Sequence, residues 1–220
     1  MASQFFDAVF FDMDGLTINS EPQWLEAEQE LTAPYGYKWT LEDQAYCLGG
    51  PLTKLGKYIS DVTNGAESGE YFHRSFMPGA RELISNLHLA GIPIALVSAS
   101  PRVIVDAALS HVKPIPFKVT ISADDVQKTK PDPEGYLKAA EQLGVNIRNS
   151  LILEDSATGV AAARASGARV IAVPHLVQIN ADHQTKVIKS LEELSVDLLR
   201  DWLIFLKLHQ SHKRLFWVGQ

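Results

Sequence analysis

Four carboxylates follow short apolar runs of the sequence, at the points where buried strands would end. Asp12 and Asp14 come after one such run, and Glu154 and Asp155 come after another. In a parallel sheet the carboxyl ends of the strands share one edge, and ligands bind beyond that edge. Carboxylate oxygens are hard ligands that suit Mg²⁺. The four side chains therefore predict a magnesium site at this edge of the sheet.

A hydroxyl and a cation accompany these carboxylates. Ser98 follows a third apolar run, and Lys130 lies in the loop before a helix that is predicted to open at Asp132. Free N–H groups at a helix start predicted at Ser100 and Pro101 would form an anion site together with Ser98. A magnesium site, an anion site and a carboxylate nucleophile side by side indicate phosphoryl transfer through an aspartyl phosphate.

Short apolar runs predict the strands that must position these side chains. The runs occupy 8–11, 92–97, 117–121, 151–153 and 170–173. Runs that are apolar at consecutive positions are typical of strands buried on both faces, as in a parallel sheet. Helix-like segments separate most of the runs, so the alternation predicts an α/β fold with a doubly wound, Rossmann-like parallel sheet.

Helix start and stop signals lie between the later runs. Ser100 before a proline predicts an N-cap, as does Asp132 before a second proline, and Gly144 predicts the end of that second helix. Ser156 and Gly167 bound a third predicted helix. Each predicted helix follows a strand, as βαβ units require.

Residues 20–77 break this alternation. The segment has helical spacing near its start and no run that is typical of a buried strand. It predicts a small α-helical cap inserted after the first strand. The predicted domains are an α/β core at 1–16 and 79–220 and a cap at 17–78. Near the end of the chain, 190–206 predicts an amphipathic closing helix.

Four blocks of the sequence carry a resemblance to a known family. They read DMDGLT from Asp12, VSAS from Val97, KPDPEGY from Lys130 and LEDSATGV from Leu153. In this order they resemble the motifs of the haloacid dehalogenase superfamily of phosphotransferases, over nearly the whole predicted core. The continuation NSEPQW and the insertion that it opens are similar to the subgroup with a small helical cap. That subgroup includes β-phosphoglucomutase and sugar-phosphate phosphatases.

The resemblance implies a role for each matching residue. Asp12 would attack phosphorus and carry the phosphoryl group, and Asp14 would protonate the leaving oxygen and then activate the hydrolytic water. Ser98, Ala99 and Lys130 would bind the phosphoryl oxygens. The ligands of Mg²⁺ would be Asp12, Asp14 through its backbone carbonyl, Asp155, and Glu154 either directly or through a water molecule. The dehalogenases of the superfamily lack the second aspartate, so Asp14 disfavours dehalogenation.

The predicted activity is Mg²⁺-dependent hydrolysis of a small phosphorylated metabolite such as a sugar phosphate. Candidate specificity residues of the cap are Glu21, Trp24, Lys54 and Lys57. A phosphomutase of the β-phosphoglucomutase type is the first alternative. The mutases of the subgroup carry a His, Thr and Trp cluster and a basic cap-loop residue, where this chain has NSEPQW and LGGPL, with Lys54 nearby. A non-catalytic phospho-ligand-binding protein is the second alternative, which the Asp12–Asp14 pair disfavours.

The composition is that of a soluble globular protein. Hydrophobic residues make up 46% of the 220 positions and charged residues 21%. The net charge of −6 disfavours nucleic acid as a partner. No uncharged apolar run approaches the ~18 residues of a membrane span. A single cysteine, Cys47, and the lack of a signal-peptide pattern predict a cytoplasmic protein without membrane contact. The expected state is a monomer, with a dimer as the alternative.

Several other residues have structural interpretations. Asp124 and Asp125 follow the third predicted strand, and for them we expect loop-capping roles or hydrogen bonds to site residues in preference to the alternative, metal binding. Cys47 predicts a buried apolar position in the cap. His209 and His212 lack the further ligands that a zinc site needs.

Overall fold

The computed structural model describes most of the core and parts of the insertion. The strands are β1 (Val9–Phe11), β2 (Ile18–Asn19), β3 (Ser75–Phe76), β4 (Ile94–Val97), β5 (Val119–Ile121), β6 (Leu151–Glu154), β7 (Arg169–Ala172) and β8 (Thr185–Val187). The α-helices are α1 (Leu41–Cys47), α2 (Ala80–Leu89), α3 (Arg102–Ser110), α4 (Glu134–Leu143) and α5 (Ala157–Ser166). The described residues are 6–19, 25, 28–29, 32–47, 57–59, 61–62, 75–110, 116–174 and 177–200.

Six strands form one parallel sheet in the order β5-β4-β1-β6-β7-β8. In the central strand β1, Phe11 lies opposite Leu96 of β4 on one side and Leu153 of β6 on the other. Val9 and Phe11 belong to one buried cluster and Phe10 to a second, so successive residues of β1 face opposite sides of the sheet. Helices α2 and α3 contribute to the first cluster, and α4 and α5 to the second. The predicted doubly wound α/β fold is confirmed.

The strands predicted from apolar runs are all present, with ends that differ by up to two residues from the predicted ones. Strand β8 was not predicted. It lies at the edge of the sheet beside β7 and carries Lys186 in its middle, with that residue half-buried. An edge strand is covered on fewer sides than a central one, so it does not need a continuous apolar run.

Two predicted helix starts differ from the observed ones. Helix α3 begins at Arg102, and its first N–H donates to Asp124 Oδ2 at 2.8 Å. The N-cap role predicted for Ser100 is therefore wrong, because a carboxylate from the loop after β5 takes that place. Helix α4 begins at Glu134, two residues after Asp132, although Asp132 Oδ1 still accepts the Glu134 N–H at 3.0 Å.

Helix α5 has the predicted ends. The Ser156 hydroxyl accepts the Gly159 N–H at 3.0 Å, which caps the start of the helix. Gly167 ends it with a φ of 85°, a left-handed conformation that glycine adopts without a Cβ penalty. Gly144 ends α4 in the same way.

The two chain segments that connect the core to the insertion pair with each other. Strand β2, just after the first sequence block, is antiparallel to β3, with Ile18 opposite Phe76 and Asn19 opposite Ser75. A strand inside 20–77 was not expected, and β3 corrects that expectation. With two residues it is too short to produce a recognisable pattern. The division into a core and a cap stays a prediction.

The insertion has a small buried cluster of its own. Trp39, Cys47 and Ile59 form this cluster, and Cys47 is 8% exposed. The predicted buried position of the single cysteine is confirmed. Since two of the three residues lie on helical segments, the cluster agrees with the predicted helical character of the insertion.

The end of the described chain differs from the predicted closing helix. Leu191–Glu193 is a 3₁₀ turn capped by Ser190, and a new helical stretch starts at 196 and continues to 200. The remainder of the predicted helix, and His209 and His212, lie outside the described residues. Within the part of the chain that is described, no helix has the length and apolar character needed to cross a membrane.

Candidate active site

The carboxyl ends of β4, β1 and β6 bring the predicted site residues together. Asp12 leaves β1 with its N–H bonded to the Leu153 carbonyl at 3.1 Å, and Ser98 leaves β4 with its N–H bonded to the Ile121 carbonyl at 2.9 Å. Asp155 follows β6 directly. Because these three strands are neighbours in the sheet, residues from distant parts of the chain share one edge.

Lys130 is the cation of this site. Its ammonium group donates to Asp12 Oδ1, to Glu154 Oε1 at 2.7 Å and to the Val97 carbonyl at 2.9 Å. Three acceptors match the three N–H donors of an ammonium group. The Lys130 side chain is 6% exposed, so its position is fixed by these partners rather than by solvent. The peptide bond from Lys130 to Pro131 is cis.

Burial and the charges of neighbouring groups both shift the pKa values of Asp12 and Lys130. Burial, followed by the charge of Glu154, raises the pKa of Asp12 well above its ordinary value, and Lys130 opposes this shift. Burial alone would lower the pKa of Lys130, but the charges of Asp12 and Glu154 raise it above its ordinary value. Lys130 therefore stays charged. Within the described part of the chain, the carboxylates of this group outnumber the cation Lys130, and a bound metal ion would offset the excess negative charge.

Asp12, Glu154 and Asp155 form a buried carboxylate cluster that could hold a metal ion. Each offers an oxygen atom, and these atoms lie within 4.8 Å of one another. Carboxylate oxygens without nitrogen or sulfur ligands suit a hard divalent cation such as Mg²⁺ or Mn²⁺. The side chain of Asp14, predicted to contribute its backbone carbonyl, is not a member of this cluster.

Asp14 has partners of a different kind. Its Oδ2 accepts a hydrogen bond from the Ser100 hydroxyl at 2.9 Å and a longer one from the Ser98 hydroxyl at 3.4 Å. The Ser98 oxygen in turn accepts the Ser100 N–H at 2.9 Å. Ala99, predicted to help bind phosphate through this loop, lies half-buried between the two serines. The loop after β4 therefore holds the Asp14 side chain through hydrogen bonds from its two serines.

Glu154 is held by donors on both of its carboxylate oxygens. Besides Lys130, the Tyr136 hydroxyl donates to Oε1 at 2.6 Å. Oε2 accepts the Asp155 N–H at 3.2 Å and the Ser156 hydroxyl at 3.2 Å. Glu154 is completely buried, and these bonds fix its carboxylate against Lys130.

Tyr136 and Gly159 are site residues that the sequence analysis did not single out. The Tyr136 ring lies 5.1 Å from the Lys130 ammonium group, within the range of a cation–π interaction. A Cβ at Gly159 would come within 2.1 Å of the carboxylate group of Glu154. Tyr136 lies in the third sequence block and Gly159 in the fourth. For Gly159, a glycine in the first turn of a predicted helix could have indicated a close contact at this position, whereas no such pattern marked Tyr136.

The loop after β5 supports the loop after β4. Ala123 donates its N–H to the Ser100 carbonyl at 2.9 Å. Asp124 caps α3, and Asp125 accepts hydrogen bonds from the Ser122 N–H at 2.7 Å and from Arg102. The loop-capping roles predicted for Asp124 and Asp125 are therefore confirmed.

Comparison with known proteins identifies the family. A sequence model described as haloacid dehalogenase-like hydrolase matches residues 9–173, which include every site residue described above. The chain belongs to this family. The membership predicted from the four sequence blocks is thereby confirmed.

Named relatives in the haloacid dehalogenase-like family include phosphatases. Hexitol phosphatase B of Escherichia coli is 31% identical over 184 aligned positions, which cover 76% of this chain and 83% of that protein. The bifunctional riboflavin kinase/FMN phosphatase of Arabidopsis thaliana is 30% identical over 206 positions and 87% of this chain. The chain spans 53% of that longer protein. These names agree with the predicted class, a phosphoric monoester hydrolase.

A solved structure shows the same fold. The β-phosphoglucomutase of Clostridium difficile superposes with a TM-score of 0.76 at 20% identity, covering 92% of this chain and 99% of that one. Phosphatases of the haloacid dehalogenase-like family generally use a divalent metal, and the buried carboxylate cluster of Asp12, Glu154 and Asp155 fits one.

The specificity residues predicted for the insertion are only partly described. Glu21, Trp24 and Lys54 lie outside the described residues. Lys57 is exposed, and its ammonium group forms an ion pair with Asp61 at 2.6 Å, one helical turn further on. The roles of these residues in substrate choice stay predictions.

Proposed function

We propose that this chain is a Mg²⁺-dependent phosphatase that releases inorganic phosphate from a small phosphorylated metabolite in the cytoplasm. The observation that carries the proposal is the setting of Asp12. Its carboxylate is bonded to Lys130 and lies within 4.8 Å of ligand atoms of Glu154 and Asp155. A buried carboxylate between a cation and metal ligands has the surroundings of a nucleophile in phosphoryl transfer.

The substrate class is proposed from the relatives. The chain covers 83% of hexitol phosphatase B, whose name refers to a phosphorylated polyol. A phosphorylated sugar or polyol is therefore the first class of substrate to test. The second name, FMN phosphatase, belongs to a protein of which the chain covers 53%, so flavin mononucleotide is a further compound for the same test.

In the first half-reaction Asp12 is the nucleophile. An oxygen of its carboxylate forms a bond to phosphorus while the bond from phosphorus to the substrate oxygen breaks. Asp14 donates its proton to that departing oxygen, so the product leaves as an alcohol. Lys130 lies against Asp12 and offers positive charge to the phosphoryl oxygens as negative charge moves onto them.

In the second half-reaction the aspartyl phosphate is hydrolysed. Asp14, now a carboxylate, accepts a proton from a water molecule whose oxygen attacks phosphorus. The bond between the Asp12 oxygen and phosphorus breaks, which restores both aspartates and releases inorganic phosphate. The Ser98 hydroxyl makes only a 3.4 Å bond to Asp14, so it can turn toward a phosphoryl oxygen at little cost.

Mg²⁺ would be held by Asp12, Glu154 and Asp155, together with the backbone carbonyl of Asp14. When bound there, it supplies charge neutralisation for the transferring group. Among the described residues, the carboxylates of the cluster are Asp12, Glu154 and Asp155, and Lys130 forms ion pairs with the first two, so without a bound cation the negative charges exceed the positive one.

The proposal is tested by a screen of phosphorylated metabolites for phosphate release in the presence of Mg²⁺. We expect turnover of at least one sugar or polyol phosphate, and loss of turnover in Asp12→Asn, because an amide is a poor nucleophile. Asp106→Asn is the matched control, since it makes the same chemical change on an exposed position of α3.

Three outcomes separate the alternatives. Near-wild-type phosphate release by folded Asp12→Asn contradicts the assignment of the nucleophile. Isomerisation of a sugar phosphate that requires a bisphosphate, with little net phosphate release, indicates the phosphomutase instead. Binding of phosphorylated compounds without any metal-dependent turnover, even of an aryl phosphate, indicates a binding protein.

A further inference from the structure

Thr17 contacts the backbone of the proposed nucleophile. It is 1% exposed, and its hydroxyl donates to the carbonyl oxygen of Asp12 at 2.6 Å. Its own N–H donates to the Met13 carbonyl at 3.1 Å, and Gly15 donates to the Ile18 carbonyl at 2.9 Å. Residues 12–18 therefore form a tight turn, and the Thr17 side chain closes it onto the end of β1.

The same residue is bonded to the segment that returns from the insertion. The Thr17 carbonyl accepts the Met77 N–H at 3.0 Å. Directly beyond it, Ile18 pairs with Phe76 in the short sheet formed by β2 and β3. One side of Thr17 thus contacts Asp12, and the other side contacts the paired linkers that lead to and from the insertion.

We propose that Thr17 is a positioning residue, whose hydroxyl couples the paired linkers β2 and β3 to the backbone of Asp12. A shift of the linkers is transmitted through the Thr17 backbone, and its side-chain bond passes the shift to the Asp12 carbonyl. The effect of Thr17 on catalysis rests on the proposed phosphatase function, whereas the coupling itself does not.

The chemistry of the side chain explains why threonine serves here. The position is buried beside Leu16 and Ile18, so an apolar residue of the same shape would pack equally well. Unlike such an apolar residue, threonine has a hydroxyl that donates to the Asp12 carbonyl. A buried carbonyl that loses its donor pays a desolvation cost, and the turn that carries Asp12 would then move to find another partner.

Two substitutions separate the hydroxyl from the shape of the side chain. Thr17→Val keeps the shape and removes the donor, whereas Thr17→Ser keeps the donor and removes a methyl group. Thr32→Val is the matched control, because the buried Thr32 hydroxyl donates to the Glu28 carbonyl at 2.8 Å inside the insertion. Thr17→Ala replaces Thr17→Val if that variant does not fold.

The first measurement is amide hydrogen exchange, which needs no substrate. In Thr17→Val we expect about tenfold faster exchange in both segments, 12–19 and 75–77, as the loss of one buried hydrogen bond predicts. Thr17→Ser and Thr32→Val should leave both segments close to wild type. Unchanged exchange at 75–77 in Thr17→Val, or equal acceleration in Thr17→Ser, overturns the coupling.

The second measurement is steady-state hydrolysis of a substrate found in the screen. We expect kcat of Thr17→Val to fall about tenfold, since small misplacements of a reacting group are costly, while KM changes less than about threefold. Thr17→Ser should recover most of the loss. An unchanged kcat in Thr17→Val overturns the catalytic role of Thr17. Absence of turnover in the wild type contradicts the proposed function instead, and the exchange data still decide the coupling.

Discussion

Asp12 and Asp14 are two residues apart and have different surroundings. Asp12 is buried among charged groups, with Lys130 on one oxygen and other carboxylates close by. Asp14 is half-buried, and its Oδ2 accepts hydrogen bonds from the hydroxyls of Ser98 and Ser100. Asp12 therefore belongs to the buried carboxylate cluster beside Lys130, as a nucleophile next to a metal site would, and the Asp14 side chain lies outside that cluster, where its proposed role is proton transfer.

This difference gives a test at the scale of one residue. Asp14→Asn removes the proton donor but keeps the backbone carbonyl. A sugar phosphate needs a proton on its leaving oxygen, so its turnover should fall by about 10²–10⁴-fold. An aryl phosphate has a leaving group that needs no proton, so phosphorylation of Asp12 should still proceed. Because the hydrolytic water is no longer activated, rapid-mix kinetics should show a burst followed by slow turnover.

The contrary result is also informative. If Asp14→Asn slows both substrates equally and no burst appears, the Asp14 side chain positions the loop after β4 through Ser100, and its acid–base role is wrong. Asp124→Asn provides a comparison, because Asp124 supports the same loop by capping α3 at Arg102 and has no proposed role in proton transfer.

At the scale of elements, the first turn of α5 determines where the Glu154 carboxylate can lie. Ser156 caps the helix and donates its hydroxyl to Glu154 Oε2, and Gly159 leaves the space that the carboxylate occupies. A Gly→Ala change inside a helix normally stabilises it by about 1 kcal/mol. At Gly159 the added Cβ would overlap with the Glu154 carboxylate group, so the usual gain should become a loss.

We therefore expect Gly159→Ala to lower the free energy of unfolding by about 1–3 kcal/mol, the usual cost of overpacking a buried site. Turnover should fall as well, since Glu154 can no longer face Lys130. Denaturant unfolding of a double-mutant cycle provides the control. Glu154→Ala removes the side chain that Gly159→Ala overlaps, so the double variant should be no less stable than Glu154→Ala alone. Additive losses would show that the overlap with Glu154 is not the cause.

The elements differ in how well the sequence predicts them. Strands β1, β4 and β6 are buried on both faces, so their apolar runs and the polar residues after them were recognisable. Strand β8 lies at an edge and lacks such a run. Contacts between side chains of different elements, such as Tyr136 with Glu154 and Ser100 with Asp14, depend on how the helices sit on the sheet. Spacing along the chain does not contain that information.

For the whole molecule, the buried charges of the site affect the free energy of unfolding. Asp12, Glu154 and Asp155 are buried together, and Lys130 is the cation bonded to two of them. The pKa of Asp12 is raised well above its ordinary value, mainly by burial and next by the negative charge of Glu154. The folded chain therefore holds repelling charges that the unfolded chain keeps in water. A divalent cation that binds the folded state relieves this repulsion, and so favours folding.

We expect Mg²⁺ to raise the midpoint of thermal unfolding of the chain in the absence of substrate. At about one hundred times its dissociation constant, a ligand of the folded state adds about 2.7 kcal/mol, which corresponds to about 5–10 °C for a chain of this size. Differential scanning calorimetry in MgCl₂, against NaCl of equal ionic strength, measures the shift. Asp155→Asn should remove most of it, while Asp106→Asn, on the exposed face of α3, should retain it. An equal rise in both variants would mean that Mg²⁺ binds elsewhere, and no rise in the wild type would contradict the metal site.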